Sequence, residues 1–234
     1  MRKLEAADLL ALWERGASRH ALDRSALLCA WARPDLPADV IADLPLGEVT
    51  SSVLRLRAAL FGDRIPAHVD CEHCGERLEL AISVGELLQT PTASASSDIR
   101  AAGLRLRLPC LRDLAAVAGE RDAASAAQGL LARCLLDETD LADLPDASVC
   151  EVERALEAAD PNADLAFDVH CQACGQRGAA QLDAGELLWD EIVARAGALL
   201  AEVHVLARAY GWTEGEILAL GARRRASYLS LVGS

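Results

Sequence analysis

Four cysteines of this chain fall in two copies of one pattern. Residues 68–88 read HVDCEHCGERLELAISVGELL and residues 168–188 read DVHCQACGQRGAAQLDAGELL, an offset of 100 positions without a gap. Val69, Cys71, Cys74, Gly75, Arg77, Gly85, Glu86, Leu87 and Leu88 recur as Val169, Cys171, Cys174, Gly175, Arg177, Gly185, Glu186, Leu187 and Leu188. Each copy is a Cys-x-x-Cys-Gly turn between extended-looking residues. Two thiolates can reach one metal from such a knuckle, and glycine takes the backbone angle that a side chain resists. Two knuckles supply four sulfurs, which fill a tetrahedral zinc shell and leave no open position. The chemistry is therefore structural: one Zn²⁺ per chain, bound by Cys71, Cys74, Cys171 and Cys174. A redox dithiol is the competing use of Cys-x-x-Cys, but it needs a thioredoxin-like βαβ setting, and here each motif is followed by a strand pattern. His68, His73 and His170 lie beside the cysteines and read as solvated or outer-sphere groups, because four sulfurs already close the shell. Cys29, Cys110, Cys134 and Cys150 stand singly on apolar or helical stretches and read as small buried hydrophobes.

The knuckles need elements to hold them. Residues 3–15 place Ala6, Leu9, Leu10 and Trp13 at helical spacing up to Gly16. A second helix runs from about Leu22 to Ala32 and stops before Pro34, with Leu27, Leu28 and Trp31 inward. Trp13 and Trp31 read as core anchors. Pro34, Pro37 and Pro45 make 34–47 a turn-rich connection, and a helix over 47–61 carries Val49, Val53, Leu56 and Leu60 on one face. Leu78, Leu80, Ile82 and Val84 alternate as a half-buried strand leaving the first knuckle. Residues 89–98 form a low-complexity linker, and Ile99, Leu104, Leu106 and Leu108 suggest a strand or hairpin. Helical stretches follow at 110–118, 121–136 and 146–159, the last two separated by the acidic loop DETDLADLPD. Strands at 165–170 and 176–182 flank the second knuckle. The implied fold is α+β and mostly α-helical: a zinc-ribbon-like two-knuckle β unit, a helical insertion whose ends the metal clips together, and a long C-terminal helix. The regions are 1–62 (N-terminal helices), 63–88 (first knuckle and strand), 89–163 (linker and insertion), 164–184 (second knuckle) and 185–234 (C-terminal helices).

From Asp183 a single helix should run to Tyr210, opened by Asp183 and Glu186 at capping-box spacing. Leu188, Ile192, Ala196, Leu199, Val203, Leu206 and Tyr210 give it one continuous apolar face. Gly211 ends it. Thr213 and Glu216 cap a short helix, and a final helix bears Arg223, Arg224 and Arg225, the one basic cluster of an acidic chain. Large aromatics and arginines anchor many protein interfaces, so Trp212, Arg223, Arg224, Arg225 and Tyr228 are candidate partner-binding residues, the alternative being that the aromatics close the helical core.

Bulk composition narrows the function. Alanine and leucine dominate and aromatics make up only 3%, which favours helix-on-helix packing. A net charge of −13 repels phosphate backbones and anionic lipid, so nucleic acid and membrane are not expected partners. A zinc-ribbon nucleic-acid or transcription accessory protein remains the alternative class, disfavoured by that charge and by the scarcity of stacking aromatics. Glu202, Arg195 and Arg208 interrupt the most apolar stretches, and Glu5, Asp8 and Glu14 interrupt any apolar signal region, so a cytoplasmic protein is expected. No Gly-rich phosphate loop, nucleophile-elbow serine or His-Glu-x-x-His helix is present, so no catalytic residue is assigned and the chain reads as a non-enzyme.

The ordered motifs LLALWERG, LPLGEV with LRLRAALFGDR, CEHCGERLEL, LPCLRDLAAVAG, DPNADLAFDVHCQACG and the long C-terminal block resemble the baseplate hub assembly proteins (assembly chaperones) of T-even-like phages and of phage-tail-like contractile injection systems. AYGWTEGEILALGARRRASYLSLV is the most specific piece, and the resemblance spans nearly the whole chain. It implies non-catalytic work on the central baseplate of a contractile tail, with hub or spike proteins as partners. The site of action would be the cytoplasm of the producing bacterium, with retention in the assembled particle an open alternative.

Overall fold

Apolar periodicity accounts for most of the elements in the computed structural model, which describes residues 5–89, 98–138 and 144–232. In chain order they are α1 (Ala6–Gly16), α2 (Ala21–Ala32), α3 (Ala38–Ala42), α4 (Leu46–Phe61), β1 (Arg64–Asp70), β2 (Arg77–Ser83), α5 (Val84–Leu87), β3 (Ile99–Ala101), β4 (Leu104–Leu106), α6 (Leu111–Val117), α7 (Ala123–Cys134), α8 (Asp146–Ala159), β5 (Leu165–His170), β6 (Arg177–Leu182), α9 (Ala184–Tyr210), α10 (Glu214–Ala219) and α11 (Ala222–Val232). The protein is mixed α+β, with small antiparallel sheets and a long C-terminal helix. Most of the low-complexity stretch 89–98 and the centre of the acidic loop lie outside the described residues. Among the described residues no helix is long and apolar enough to cross a membrane. The chain divides into two compact units, residues 21–185 and residues 1–20 with 186–234.

In the unit 21–185, α4 is the central helix. Val49, Val53, Leu54 and Leu56 are at most 4% exposed, and Ser51, Ser52 and Arg57 are buried with them. The expected face of Val49, Val53 and Leu56 is therefore inward, but burial extends around the helix, and Leu60 at its end is only half-buried. Two of the polar side chains in this interior bond to backbone. Ser52 Oγ donates to the Glu48 carbonyl (2.8 Å), and Arg57 Nη1 donates to the carbonyls of Gly62 and Arg64 (both 2.7 Å). Arg57 thus ties the end of α4 to the first residue of β1. Inside the segment read as turns, Pro37 precedes the short α3 and Ile41 is 1% exposed. Proline at the entry of a helix loses no intrahelical bond, which is why a proline-rich stretch still yields a helical turn here.

Two hairpins of the same build leave this helical layer. β1 pairs antiparallel with β2 from Arg64↔Ser83 to Asp70↔Arg77, and β5 pairs with β6 from Leu165↔Leu182 to His170↔Arg177. They remain separate two-stranded sheets. A third hairpin, β3–β4, packs with α7 and α8 in a cluster that contains Ile99, Leu104, Leu106, Leu131, Cys134, Val152 and Leu156. The loop after α8 docks back on α4. Asp160 Oδ2 accepts from the Gly47 amide (2.8 Å), and Asn162 Nδ2 donates to Ser51 Oγ (3.3 Å), all in buried surroundings. Burial raises the Asp160 carboxyl pKa, against the pull of the Gly47 N–H, and among the described residues its Oδ1 has no hydrogen-bond partner. A Cβ on Gly47 would collide with that carboxylate. Gly47→Ala is therefore expected to destabilise by about 1–3 kcal/mol, the range for forcing extra volume into a packed site. Urea titration reads it as a lower midpoint at unchanged slope, and an unchanged midpoint would mean the loop is free to move away.

In the unit formed by residues 1–20 and 186–234, α9 carries the expected face. Leu188, Ile192, Ala196, Leu199 and Leu206 are at most 1% exposed, whereas Val203 is half-buried and Tyr210 is 38% exposed. α1 buries Leu9, Leu10, Leu12 and Gly16, so Leu12 holds the core position expected for Trp13, whose indole lies half-buried at the margin. Gly16 sits directly beneath the Trp189 ring, too close for any side chain. Trp31, in α2 of the other unit, is likewise half-buried, with Leu27, Leu28 and Cys29 inside instead. Gly211, at φ 70°, ends α9, and Thr213 and Glu216 form the expected capping box of α10. α10 packs against α1 through the fully buried Ile217.

Candidate metal centre

Each cysteine pair is shaped by its own turn. The Cys71 amide donates to the Glu76 carbonyl (2.8 Å) and the Gly75 amide to the Cys71 carbonyl (2.8 Å). The second copy repeats both bonds, Cys171 to Gln176 and Gly175 to Cys171, each at 2.9 Å. Gly75 and Gly175 adopt φ 73° and 74°, the left-handed conformation that costs a residue with a Cβ but not glycine. The two turns thus present their sulfurs identically, and the hairpins bring them face to face.

The four Sγ atoms lie within 4.8 Å of one another. Across the knuckles Cys71 is 3.7 Å from Cys174, and Cys74 is 3.6 Å from Cys171. A tetrahedral zinc–thiolate shell with bonds of about 2.3 Å has sulfur–sulfur edges of about 3.8 Å, so the spacing fits one ion. Exposure is graded around the cluster: Cys171 is buried, Cys71 and Cys174 are half-buried, and Cys74 is exposed. Backbone N–H groups of Cys74 and His73 point at the Cys71 sulfur and lower its pKa to about 7. At Cys74 the Glu76 N–H pulls the same way, but the neighbouring sulfurs, led by Cys174, and burial outweigh it and raise that thiol. A divalent cation held by Cys71, Cys74, Cys171 and Cys174 would reverse this mutual opposition, since each thiolate would then face a positive charge.

Of the remaining cysteines, Cys29 and Cys134 are buried as small apolar residues, whereas Cys110 is buried but hydrogen-bonds Asp113 and Cys150 departs from that expectation. Cys29, Cys110 and Cys134 are buried, and burial raises the thiol pKa of Cys29 and Cys134 to about 11. Cys150 is half-buried, with Arg154 Nη2 3.5 Å from its sulfur. His68 and His73 are exposed, and His170 Nδ1 is 3.1 Å from the Gln172 amide nitrogen. None of the histidines belongs to the metal-spaced group.

The C-terminal candidates occupy the other unit and divide into two kinds. Tyr210, Trp212 and Tyr228 pack on one another, with Tyr210 stacked on Trp212 at 4.6 Å and Tyr228 edge-on to Trp212 at 4.9 Å. Arg223 and Arg224 are exposed. Arg225 is not part of a solvated face: it is 3% exposed, its Nε is 2.7 Å from Glu202 Oε2, and it also donates to the Leu220 carbonyl. Arg225 therefore fastens α11 to α9. Leu231 and Val232 project from α11 into solvent.

Sequence reasoning missed the ionic centre of the first unit. Asp113 is 1% exposed and accepts a two-pronged contact from Arg107 (2.6 and 2.8 Å) and one from Arg133 Nε (2.9 Å). It also accepts from the Cys110 amide and thiol, both at 3.1 Å. The visible signal was its place three residues after Cys110 at the start of α6, the capping-box position.

No family model, curated protein or solved structure matches this chain.

Proposed function

We propose that this protein is a non-enzymatic assembly factor or minor structural component of the baseplate hub of a contractile tail or contractile injection system, with a zinc-ribbon-like pair of hairpins stapled by one structural Zn²⁺. The observation that carries the metal half is the convergence of four sulfurs from two distant turns at tetrahedral spacing. Four thiolates complete the shell, so the ion's contribution is to join two hairpins a hundred residues apart and not to activate water or substrate. The assembly half is supported by the resemblance of the ordered motifs to hub assembly proteins, above all in the block from Ala209 to Val232. On α11 the exposed Arg223, Arg224, Leu231 and Val232 offer a hub or spike subunit both charge and apolar area.

The test spares the fold. Ile217 and Arg225 are buried, so truncation after Tyr210 would remove core along with surface. Arg223→Glu with Arg224→Glu changes exposed groups only. Co-expressed with the hub and spike subunits of its own tail, the wild-type chain should co-purify with one of them and the double variant should lose most of that subunit. Equal recovery by both proteins removes α11 from the interface, and no recovery by the wild type removes the baseplate reading.

The protein is also expected to bind duplex DNA no better than non-specifically, with a Kd weaker than about 10⁻⁶ M at ~150 mM salt. A fluorescence anisotropy titration checks this, and sub-micromolar binding would favour the nucleic-acid alternative.

A further inference from the structure

The duplicated hairpins provide an internal control. They carry the same turn and the same pairs of thiols, so differences between them are not dictated by the metal centre. β1 and β5 also turn the same positions inward, Ile65, Ala67 and Val69 against Leu165, Phe167 and Val169. The second strands diverge. β2 reads RLELAIS with Leu78 and Leu80 half-buried, whereas β6 reads RGAAQL with Arg177, Gly178 and Ala179 exposed. Asp70, Glu72, Glu76 and Glu79 of the first copy are His170, Gln172, Gln176 and Ala179 in the second. One hairpin is acidic and bulky; the other is stripped and near neutral.

Gly178 is the informative difference. It faces Val169 across the ladder as Leu78 faces Val69. Its φ is not positive, unlike those of Gly75 and Gly175 in the knuckles. A Cβ at this position would meet Val169 Cγ2 at 3.6 Å, an ordinary contact. Neither backbone nor packing requires glycine here, and glycine inside a strand weakens it. Strand glycines often mark a bulge, a tight bend or a close approach by a ligand or another backbone, and the ladder here is regular, with no bulge at Gly178. Gly178 lines a cavity of about 280 Å³ together with Val69, Leu78, Val169 and Ala179, and Cys71 and Cys171 form part of its wall.

One cation of the lining, Arg177, stands apart from its counterpart in the first copy. Arg77 pairs with Asp70, Nε to Oδ1 3.4 Å. The corresponding Arg177 lines the cavity opposite no such acid, because position 170 is histidine, and its side chain has no partner among the described residues. The lining also carries two carboxylates, both on the first hairpin: Asp70, paired with Arg77, and Glu72. β6 pairs only with β5 among the described residues, so its outer edge has backbone N–H and C=O groups open to an added strand.

We propose that the space between the hairpins is a docking groove for an extended segment of a partner protein. An aliphatic side chain enters the room left at Gly178, a neighbouring carboxylate meets Arg177, and the segment's backbone runs along β6. The inference stands on the hairpins alone and is independent of the baseplate reading.

The test uses the full, reduced, zinc-loaded chain, isotope-labelled for NMR, and two probes, acetyl-Thr-Glu-Leu-Thr-Val-amide and its Glu-to-Lys counterpart. The Glu peptide is expected to shift the amides of residues 176–180 saturably with a Kd below about 1 mM, and the Lys peptide to bind at least about tenfold more weakly. Gly178→Leu, which restores the residue of the first copy, and Arg177→Gln should each weaken binding by a similar factor, while Arg77→Gln leaves it unchanged. Should Gly178→Leu fail to fold, Arg177→Gln at its exposed position decides. Equal binding of the two peptides, or undiminished binding by Arg177→Gln, overturns the groove. Equal shifts from N-acetyl-leucine alone overturn the peptide in favour of a small-molecule pocket.

Discussion

Serine in place of Cys71 or of Cys171 is expected to strip the zinc from the protein and release the hairpins from one another. Wild-type protein kept reduced should contain one zinc per chain, with sulfur neighbours near ~2.3 Å by X-ray absorption. Either serine leaves a three-thiolate shell, and the two variants should be equally impaired because the knuckles present their sulfurs through the same turn and the same pair of backbone bonds. The size of the effect follows from two comparisons. Structural zinc contributes about 10–16 kcal/mol in small zinc domains at neutral pH. Closing a loop of roughly a hundred residues by a crosslink is by itself about 4–5 kcal/mol in the chain-entropy model. Whole domains are stable by only about 5–15 kcal/mol, so loss of the ion should detach or unfold the hairpins even where the helical layer survives. Cys29→Ala, Cys134→Ala and Cys150→Ala should retain the metal, because those sulfurs lie away from the cluster. Two zincs per chain, or none in protein that was never oxidised, would sink the shared site.

Asp113→Ala is expected to be the most damaging change among the charged side chains of the ionic centre. It leaves Arg107 and Arg133 facing each other without their common carboxylate and strands the buried Cys110 amide. Removing one member of a buried ion pair costs about 3–5 kcal/mol. Here the arginine side chains are 37% and 41% exposed and can regain water, which trims the loss to about 2–3 kcal/mol. For a chain of this size that lowers Tm by roughly 5–10 °C. The same network sets an acid limit. Burial would push the Asp113 carboxyl up, but the Arg107 fork, together with the Cys110 thiol and amide, holds it well below the usual carboxylate range. A folded-state pKa below the unfolded value means that the stabilisation is fully present above about pH 4, the ordinary aspartate value, and is lost as pH falls further. Wild-type stability should therefore drop steeply below pH 4, and Asp113→Asn should start lower but show a shallower acid slope. Parallel acid slopes in the two proteins would show that other carboxylates control acid unfolding.

Much of the metal centre was legible because its signal is local and repeated. A Cys-x-x-Cys-Gly turn specifies its own backbone: glycine takes the left-handed angle, the turn closes its own hydrogen bonds, and two sulfurs emerge on one side. The second copy then supplies the missing half of the shell. Helix α9 was legible for a similar reason, since a stripe from Leu188 to Leu206 at helical spacing leaves few other ways to bury it. The capping box of Thr213 and Glu216 and the glycine stop at Gly211 likewise depend on residues three or four apart.

What the sequence could not contain was which surfaces compete for the interior. Trp13 and Trp31 have the area of core anchors, yet Leu12 and Leu28 take the fully buried places and leave both indoles at the margin. Arg225 belongs to a basic run, and only the arrival of Glu202, 23 residues earlier in the chain, turns it inward while Arg223 and Arg224 stay in water. Asp160 and Gly47, 113 residues apart, are unremarkable alone and become a tight clasp once α8 returns to α4. The same holds for Gly178, whose lack of any backbone need is visible only in a formed ladder. Turns, caps and periodic faces are decided by neighbours a few residues away, so the sequence by itself determined the four thiols, the two knuckles and the long helix. Partners of buried charge, the side chains that win the core and the opening between the hairpins depend on chain segments brought together from afar, and only the tertiary structure decided them.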